Sequence, residues 1–378
     1  MISCGEPSGD LYAGALARQL RDIDPATSIT GYGSERLAAG GGSLVADFRG
    51  LSVTGLLEVA RVLPRTYAVY RRLIAHAKAE RPDVFVAIDS PDFNFHLAKA
   101  MRRLGVPVVY YISPQLWAWR PGRMKTMQRI ADRVLVIFPF EEEIYRRADV
   151  PVEWVGHPLL DVSPEPRPRA EFLVSLGLDP AKPLVAILPG SRINELRAIL
   201  PRLLDAAKII HGRLPDVQFV LARAPHLGDE LFSELTSGPA ITMVANATDD
   251  VLAAADVGLL ASGTVTVQAA LRECPMIVVY RLSPLTYRLG RRFVNVNSFA
   301  MANLVAGRTV VPELEQDEFT PEAVAREALG LLENPERVAT MRRELREVRA
   351  KLGEPGASRR AAEAVLAVAR AGRAQRLG

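Results

Sequence analysis

From Ile2 to Val155 the sequence alternates short, almost wholly apolar runs with stretches of helical periodicity, and that alternation leaves few folds open. The runs Ser28–Tyr32, Asp83–Ile88, Val106–Ile112, Arg133–Ile137 and Val152–Val155 read as strands buried on both faces. Leu11–Arg21, Phe93–Leu104 and Arg120–Ala131 read as helices between them, and this βαβ rhythm specifies a mostly parallel sheet wound on both sides. Pro158, Pro164, Pro166 and Pro168 crowd Gly156–Arg169, a composition that neither helix nor central strand accepts, so the interdomain linker is expected there. The rhythm then resumes through Leu184–Leu188, Gln218–Ala222, Ile241–Val244, Val257–Leu260 and Met276–Val279. The expected class is α/β, with two Rossmann-like domains, 1–160 and 170–320, facing a cleft. A helical C-terminal segment, 321–378, follows as Pro321–Glu333, Glu336–Lys351 and Ser358–Ala371. Capping the second domain, crossing back to the first and exchange with a partner chain in a homodimer all fit that segment.

A chain of 378 residues supports two cores, and its 49% hydrophobic and 24% charged composition is that of a folded protein. Lys and Arg total 47 against 43 Asp and Glu, and the resulting +4 is too small to imply nucleic acid. With two cysteines, Cys4 and Cys274, and no clustered histidine, neither a zinc site nor a disulfide framework is expected, and a cytoplasmic compartment follows. No run reaches the ~18 apolar residues of a membrane span, so membrane contact would be peripheral.

Six segments carry candidate chemistry. Gly5-Glu6-Pro7-Ser8-Gly9-Asp10 lies between a strand and a helix, where backbone N–H groups can face a ligand. It is neither GxGxxG nor a Walker A loop, and a plain tight β–α turn accounts for it equally well. Ile88-Asp89-Ser90-Pro91-Asp92-Phe93-Asn94 follows a strand at the carboxyl end of the sheet, where open α/β folds bind ligands. Asp92 suits a helix N-cap, whereas Asp89, a turn earlier, is the candidate base. Tyr111 to Arg120 includes Gln115, Trp117 and Trp119, which suit an acceptor sugar, acyl chains or a packed loop.

Leu188-Pro189-Gly190-Ser191-Arg192-Ile193-Asn194-Glu195 opens a long helix, so its dipole and the Arg192 guanidinium can hold a diphosphate together. Ala261-Ser262-Gly263-Thr264 is a second glycine-bearing turn of the same kind, and the two favour a nucleotide site over a structural arginine. Leu51–His76 mixes Leu56, Leu57, Val62 and Leu63 with Arg61, Arg65, Arg71 and Arg72. Such a stretch packs on its own domain or docks on anionic lipid. The histidines have no metal-ligand spacing, and His157, in a Gly-His-Pro turn, is placed to order the hinge.

In order, GEPSGD, TGLLEV, PDVFVAIDSPDFN, YYISPQLWAWRPGR, EWVGHPLLD, LPGSRINE, LLASGTVTVQAAL and NLVAGRTVVPELEQ resemble the motif series of the lipid-A-disaccharide synthase family, from Gly5 to about Gln316. The resemblance implies a GT-B glycosyltransferase that moves 2,3-diacylglucosamine from UDP onto 2,3-diacylglucosamine 1-phosphate with inversion, at the anionic inner-membrane surface, without metal or cofactor. It also implies Asp89 as base, with Glu6, Ser8, Gly9, Asn94 and Gln115 around the acceptor. For UDP it implies Ser191, Arg192, Glu195, Ser262, Gly263, Thr264, position 268 and Asn303.

This chain departs from that series in carrying Gln268 where a glutamate is usual, Ala302 for a proline, Thr54 for a methionine, and Gly31-Tyr32-Gly33-Ser34-Glu35-Arg36-Leu37 for GxGGxxM. Met1–Cys4 is also a short first strand. Two rivals stand beside this reading. One is another UDP-sugar enzyme of the same architecture, such as an epimerase or a different glycosyltransferase. The other is a binding homologue with impaired catalysis.

Overall fold

The computed structural model describes residues 1–49, 56–116, 121–236, 238–281 and 298–377, and the chain divides into two compact units. The first contains β1 (Ile2–Cys4), α1 (Pro7–Ile23), β2 (Thr30–Gly33), α2 (Glu35–Ala39), β3 (Ser43–Asp47), α3 (Leu56–Glu80), β4 (Phe85–Ile88), α4 (Pro91–Arg103) and β5 (Val108–Tyr111). It continues through α5 (Met124–Ile130), β6 (Arg133–Val136), α6 (Pro139–Arg147), β7 (Val152–Trp154) and α7 (Leu159–Val162). Its seven strands run in the order β3-β2-β1-β4-β5-β6-β7, every neighbouring pair parallel. Every residue of β4 and β5 is buried, as the uninterrupted apolar runs require of strands covered on both faces.

The second unit contains α8 (Arg169–Ser175), β8 (Leu184–Leu188), α9 (Ile193–Arg213), β9 (Gln218–Arg223), β10 (Ile241–Ala245), α10 (Thr248–Ala254), β11 (Val257–Ala261), α11 (Thr264–Leu271), β12 (Met276–Tyr280), α12 (Met301–Ala306) and β13 (Glu313–Glu315). Its sheet is also parallel, in the order β10-β9-β8-β11-β12-β13. Both orders are Rossmann-like. In each, the strand order reverses once, between β1 and β4 and between β8 and β11. The loops leaving those strand pairs diverge to opposite faces and leave a crevice at the carboxyl end of the sheet.

The C-terminal helices are shared between the units. α13 (Pro321–Leu332) and α14 (Pro335–Lys351) belong to the second, whereas α15 (Ala357–Leu377) packs on α1 and α7 of the first. α13 starts at Thr320, whose hydroxyl accepts from Ala323 N, with Pro321 in the first turn. The α15 start is held by Asp161, which accepts from Gly356 N at 2.6 Å and Ser358 N at 2.7 Å. Arg360 Nε donates to Val155 O at 2.8 Å beside it. The proline-rich stretch folds Leu159–Val162 into α7 of the first unit, and the division falls between Val162 and Ser163. Past it, Arg167 N and its guanidinium fasten to Asp250 at the start of α10.

His157 is 2% exposed, its Nδ1 accepts from Leu159 N at 3.1 Å, and burial lowers its pKa from 6.5 to about 3. Folded, the ring stays neutral. The unfolded chain takes up a proton below pH 6.5 that the folded chain refuses until about pH 3, so this group removes stability as pH falls through that window. Between pH 7 and 4.5 the loss from it should be about 3 kcal/mol. Urea unfolding at both pH values checks this: His157→Gln should be less stable at neutral pH and less acid-sensitive by about that amount.

Candidate active site

Gly5 and Asp89 are the first residues beyond β1 and β4, whose last members Cys4 and Ile88 are paired, so both flank the reversal point of the first sheet. Asp89 has φ +45°, Ser90 +46°, and Ile112, just beyond β5, +56°. Left-handed backbone at non-glycine residues costs about 1–3 kcal/mol each and persists where surroundings hold it. Two donors grip the Asp89 carbonyl: Tyr110 Oη at 2.8 Å and Asn94 Nδ2 at 2.9 Å. Asn94, fully buried in the first turn of α4, also donates to Ile88 O at 3.0 Å and Ser3 O at 3.2 Å, and accepts from Ser3 Oγ at 2.6 Å. One amide thereby ties β1, β4 and the strained corner together. The Asp89 charge lies close enough to the Tyr12 and Tyr110 hydroxyls to reinforce the upward shift that burial gives each of them.

The turn after β1 supplies the opposite wall of this corner. A Cβ on Gly5 would meet Ser90 Oγ at 2.7 Å, so glycine is what lets the two turns touch. Glu6 sits half-buried at the N-cap position of α1, with Ser8 half-buried and Gly9 buried in the first turn. Asp10, 3% exposed, turns away to cap α2, accepting from Ser34 N at 2.7 Å, Arg36 N at 2.9 Å and Leu37 N at 3.2 Å. Gln115 is half-buried past β5. Asp92 is not the N-cap of α4: that position is Ser90, and Asp92, in the first turn, pairs with Arg123 at 2.7 Å. Gly5→Ala should move Ser90 and with it Asp89, cutting turnover roughly tenfold or more while costing about 1–3 kcal/mol of stability, checked by steady-state rates beside urea unfolding.

In the second unit the two glycine-bearing turns again leave the strands at the reversal, where Leu188 of β8 and Leu260 of β11 are paired. Gly190, at φ +113°, turns the chain into α9, with Ser191 exposed and Arg192 as N-cap residue. Arg192 Nη1 meets Glu195 Oε1 at 3.0 Å one turn on, an exposed pair of small intrinsic worth that an anion can displace. Tyr280, ending β12, lies near both, and burial together with the Glu195 charge raises its pKa to about 12 against the opposing pull of Arg192. Gly263 is the N-cap residue of α11 and Thr264 its exposed first residue. Ser262 Oγ donates to Phe299 O at 2.8 Å.

Asn303 is placed differently from a ligand contact. Its Oδ1 accepts from Val310 N at 2.7 Å and Val311 N at 2.9 Å, and its Nδ2 donates to Val311 O at 2.9 Å and to the Glu313 carboxylate. All four positions of the amide are filled within the protein, so Asn303 braces the wall and leaves nothing for a nucleotide. Glu313, which sequence reading missed, is the centre of that brace: it accepts also from Phe299 N at 2.6 Å and from Ser298 Oγ. His226, one of the histidines without metal-ligand spacing, donates from Nε2 to Ser191 O at 2.8 Å and steadies the arginine turn. A signal was available in both cases, a polar residue close to a motif, but its partner is distant in sequence or on another loop.

On α3, Leu73 and Ala77 are buried, while Leu63 and Tyr67 are 57% and 60% exposed among the exposed Arg65, Arg71 and Arg72. The side chains of Leu56, Leu57, Arg61 and Val62 lie outside what the structure describes, as do Thr54 and the Trp117–Arg120 segment. Among the described residues no cluster of His, Cys, Asp or Glu could hold a metal, and no helix is long and apolar enough to cross a membrane.

The model of the family described as lipid-A-disaccharide synthetase matches residues 1–368 of this chain. The chain belongs to the lipid-A-disaccharide synthase family. A lipid-A-disaccharide synthase of Koribacter versatilis is 44% identical over 378 residues, covering 98% of each chain, and one of Myxococcus xanthus is 41% identical over 375, covering 99% of this chain and 98% of that one. In fold, the chain resembles the UDP-GlcNAc 2-epimerase of Neisseria meningitidis solved with UDP-GlcNAc, at TM-score 0.64 and 13% identity over 97% of this chain and 98% of that one. That likeness shows the paired Rossmann-like, GT-B-type architecture alone. As a member of that family the protein is a glycosyltransferase of lipid A synthesis.

Proposed function

We propose that the enzyme transfers 2,3-diacylglucosamine from UDP onto 2,3-diacylglucosamine 1-phosphate with inversion, releasing UDP, and that Asp89 is its base. The strained corner after β4 carries this reading: two consecutive left-handed residues, gripped at the Asp89 carbonyl by Asn94 and Tyr110, are kept at the sheet's ligand-binding end. In the reaction an acceptor hydroxyl oxygen bonds to the anomeric carbon as the bond from that carbon to the diphosphate breaks. The hydroxyl proton passes to the Asp89 carboxylate late, as the sugar becomes oxocarbenium-like. Negative charge gathers on the departing diphosphate, where Arg192, released from Glu195, and the α9 and α11 N-termini stabilise it.

Incubation with both lipids and mass analysis of the product tests the reaction: a disaccharide 1-phosphate and an equivalent of UDP are expected. Turnover of soluble UDP-N-acetylglucosamine alone would replace this reading with a UDP-sugar epimerase. UDP release from neither donor would leave a binding homologue.

The acylated substrates reside in membrane, and the Leu63 and Tyr67 face of α3, ringed by arginines, is the surface suited to an anionic leaflet. Sedimentation with vesicles containing phosphatidylglycerol should show binding at low salt that falls steeply by about 0.5 M. Leu63→Asp with Tyr67→Asp should weaken it about tenfold or more; indifference to both salt and substitution would remove the membrane assignment.

A further inference from the structure

Gln268 lies in the second turn of α11, on the helix that begins at the Gly263 turn, and its neighbour is a buried carboxylate. Asp249, 7% exposed at the start of α10, receives Gln268 Nε2 at 3.4 Å on Oδ2 and Arg272 Nε at 2.8 Å on Oδ1. That neighbour settles which way the amide faces. With the carbonyl turned inward, two oxygens would oppose each other where little water can screen them; with the NH2 inward, the contact is attractive. The Gln268 carbonyl oxygen is thereby turned away from Asp249, and among the described residues no donor reaches it.

We propose that Asp249 is a positioning residue that holds Gln268 as a fixed hydrogen-bond acceptor for the ribose hydroxyls of the UDP group. This rests on the reading that places UDP at the turn after β11. The negative charge stays on Asp249, satisfied by Arg272, and the group that meets the sugar is neutral. A free glutamine amide rotates to offer either its oxygen or its nitrogen, and so bonds a ribose oxygen whether or not that oxygen carries a proton. Locked by a carboxylate, it offers only the acceptor, and UDP should be preferred over 2′,3′-di-O-methyl-UDP, whose ribose oxygens accept but cannot donate, by about tenfold.

Calorimetric titration with UDP and 2′,3′-di-O-methyl-UDP across a double-mutant cycle tests this. Gln268→Glu sets two carboxylates against each other and should weaken UDP about tenfold or more. Asp249→Asn frees the amide to rotate and donate to an ether oxygen, and the preference for UDP over the di-O-methyl analogue should shrink towards unity. Combining Gln268→Glu with Asp249→Asn returns one charge and one donor to the pair in exchanged positions, and should bring UDP affinity and ribose preference back to within about threefold of the unchanged chain. A double variant as weak as the product of the two single effects would overturn the proposal, because a merely structural Asp249 gives no such rescue. Should Asp249→Asn not fold, Gln268→Glu carries the test alone, and unaltered UDP affinity in it would overturn the proposal. Gln268→Ala separates the two levels: normal UDP affinity there would remove the nucleotide from this turn, whereas lost affinity without rescue in the cycle would remove only the role of Asp249.

Discussion

Asp89→Ala should lower disaccharide formation by about 10³-fold while leaving the fold and UDP affinity near those of the unchanged protein. The acceptor hydroxyl is a weak nucleophile until its proton is drawn off, and among the described residues the other carboxylates of the turns after β1 and β4 are Glu6, at the N-cap position of α1, Asp10 and Asp92. Asp92, three residues on, is committed to Arg123, and Asp10 is buried against the start of α2. Stability should change little, because alanine keeps the carbonyl at this position and with it the bonds from Asn94 and Tyr110. Single-turnover rates beside thermal unfolding check both halves. Near-normal turnover in a folded variant would exclude Asp89 as the base.

Asn94→Ala is expected to be costly in a different way, losing about 3 kcal/mol of stability together with most of the activity. Ser3 O and Ile88 O would lose a buried donor, Ser3 Oγ its acceptor, and the strained Asp89 peptide one of its two restraints. The remaining restraint, Tyr110, holds the carbonyl from one side only. Asn94→Asp separates the roles, since its oxygens still serve Ser3 Oγ but place a charge against three carbonyl oxygens. It should be no more stable than the alanine variant, by urea unfolding.

The central strands were legible because burial on both faces leaves an uninterrupted apolar run, and Val108–Tyr111 and Leu184–Leu188 need no partner information to be recognised. The edge strands β7 and β10 were legible too, but β3 and β13 were not. Ser43–Asp47 is partly exposed along its length, and Glu313-Leu314-Glu315 is polar at two of its residues, so neither carries the signal of a buried strand. Asp89 was legible from its place directly after an apolar strand, where α/β sheets open. The reason it is held there was not, because the Asn94 and Tyr110 bonds cross between elements and the positive φ values have no glycine to announce them.

Asn303 shows the opposite limit. A polar residue in a motif reads as a ligand contact, yet only the fold reveals that Val310, Val311 and Glu313 already use its whole amide. The C-terminal helices were visible as helices, but their assignment depends on contacts such as Asp161 with Gly356 and Ser358, nearly two hundred residues apart.

If Asp89 removes the proton and Arg192 binds the diphosphate, UDP affinity measured on Asp89→Asn and Arg192→Ala tests that division of roles most directly. Asp89→Asn should bind UDP as the unchanged protein does and fail to turn over, whereas Arg192→Ala should bind it at least about tenfold more weakly. Equal UDP affinity in the arginine variant, or loss of UDP binding in the aspartate variant, would contradict the assignment.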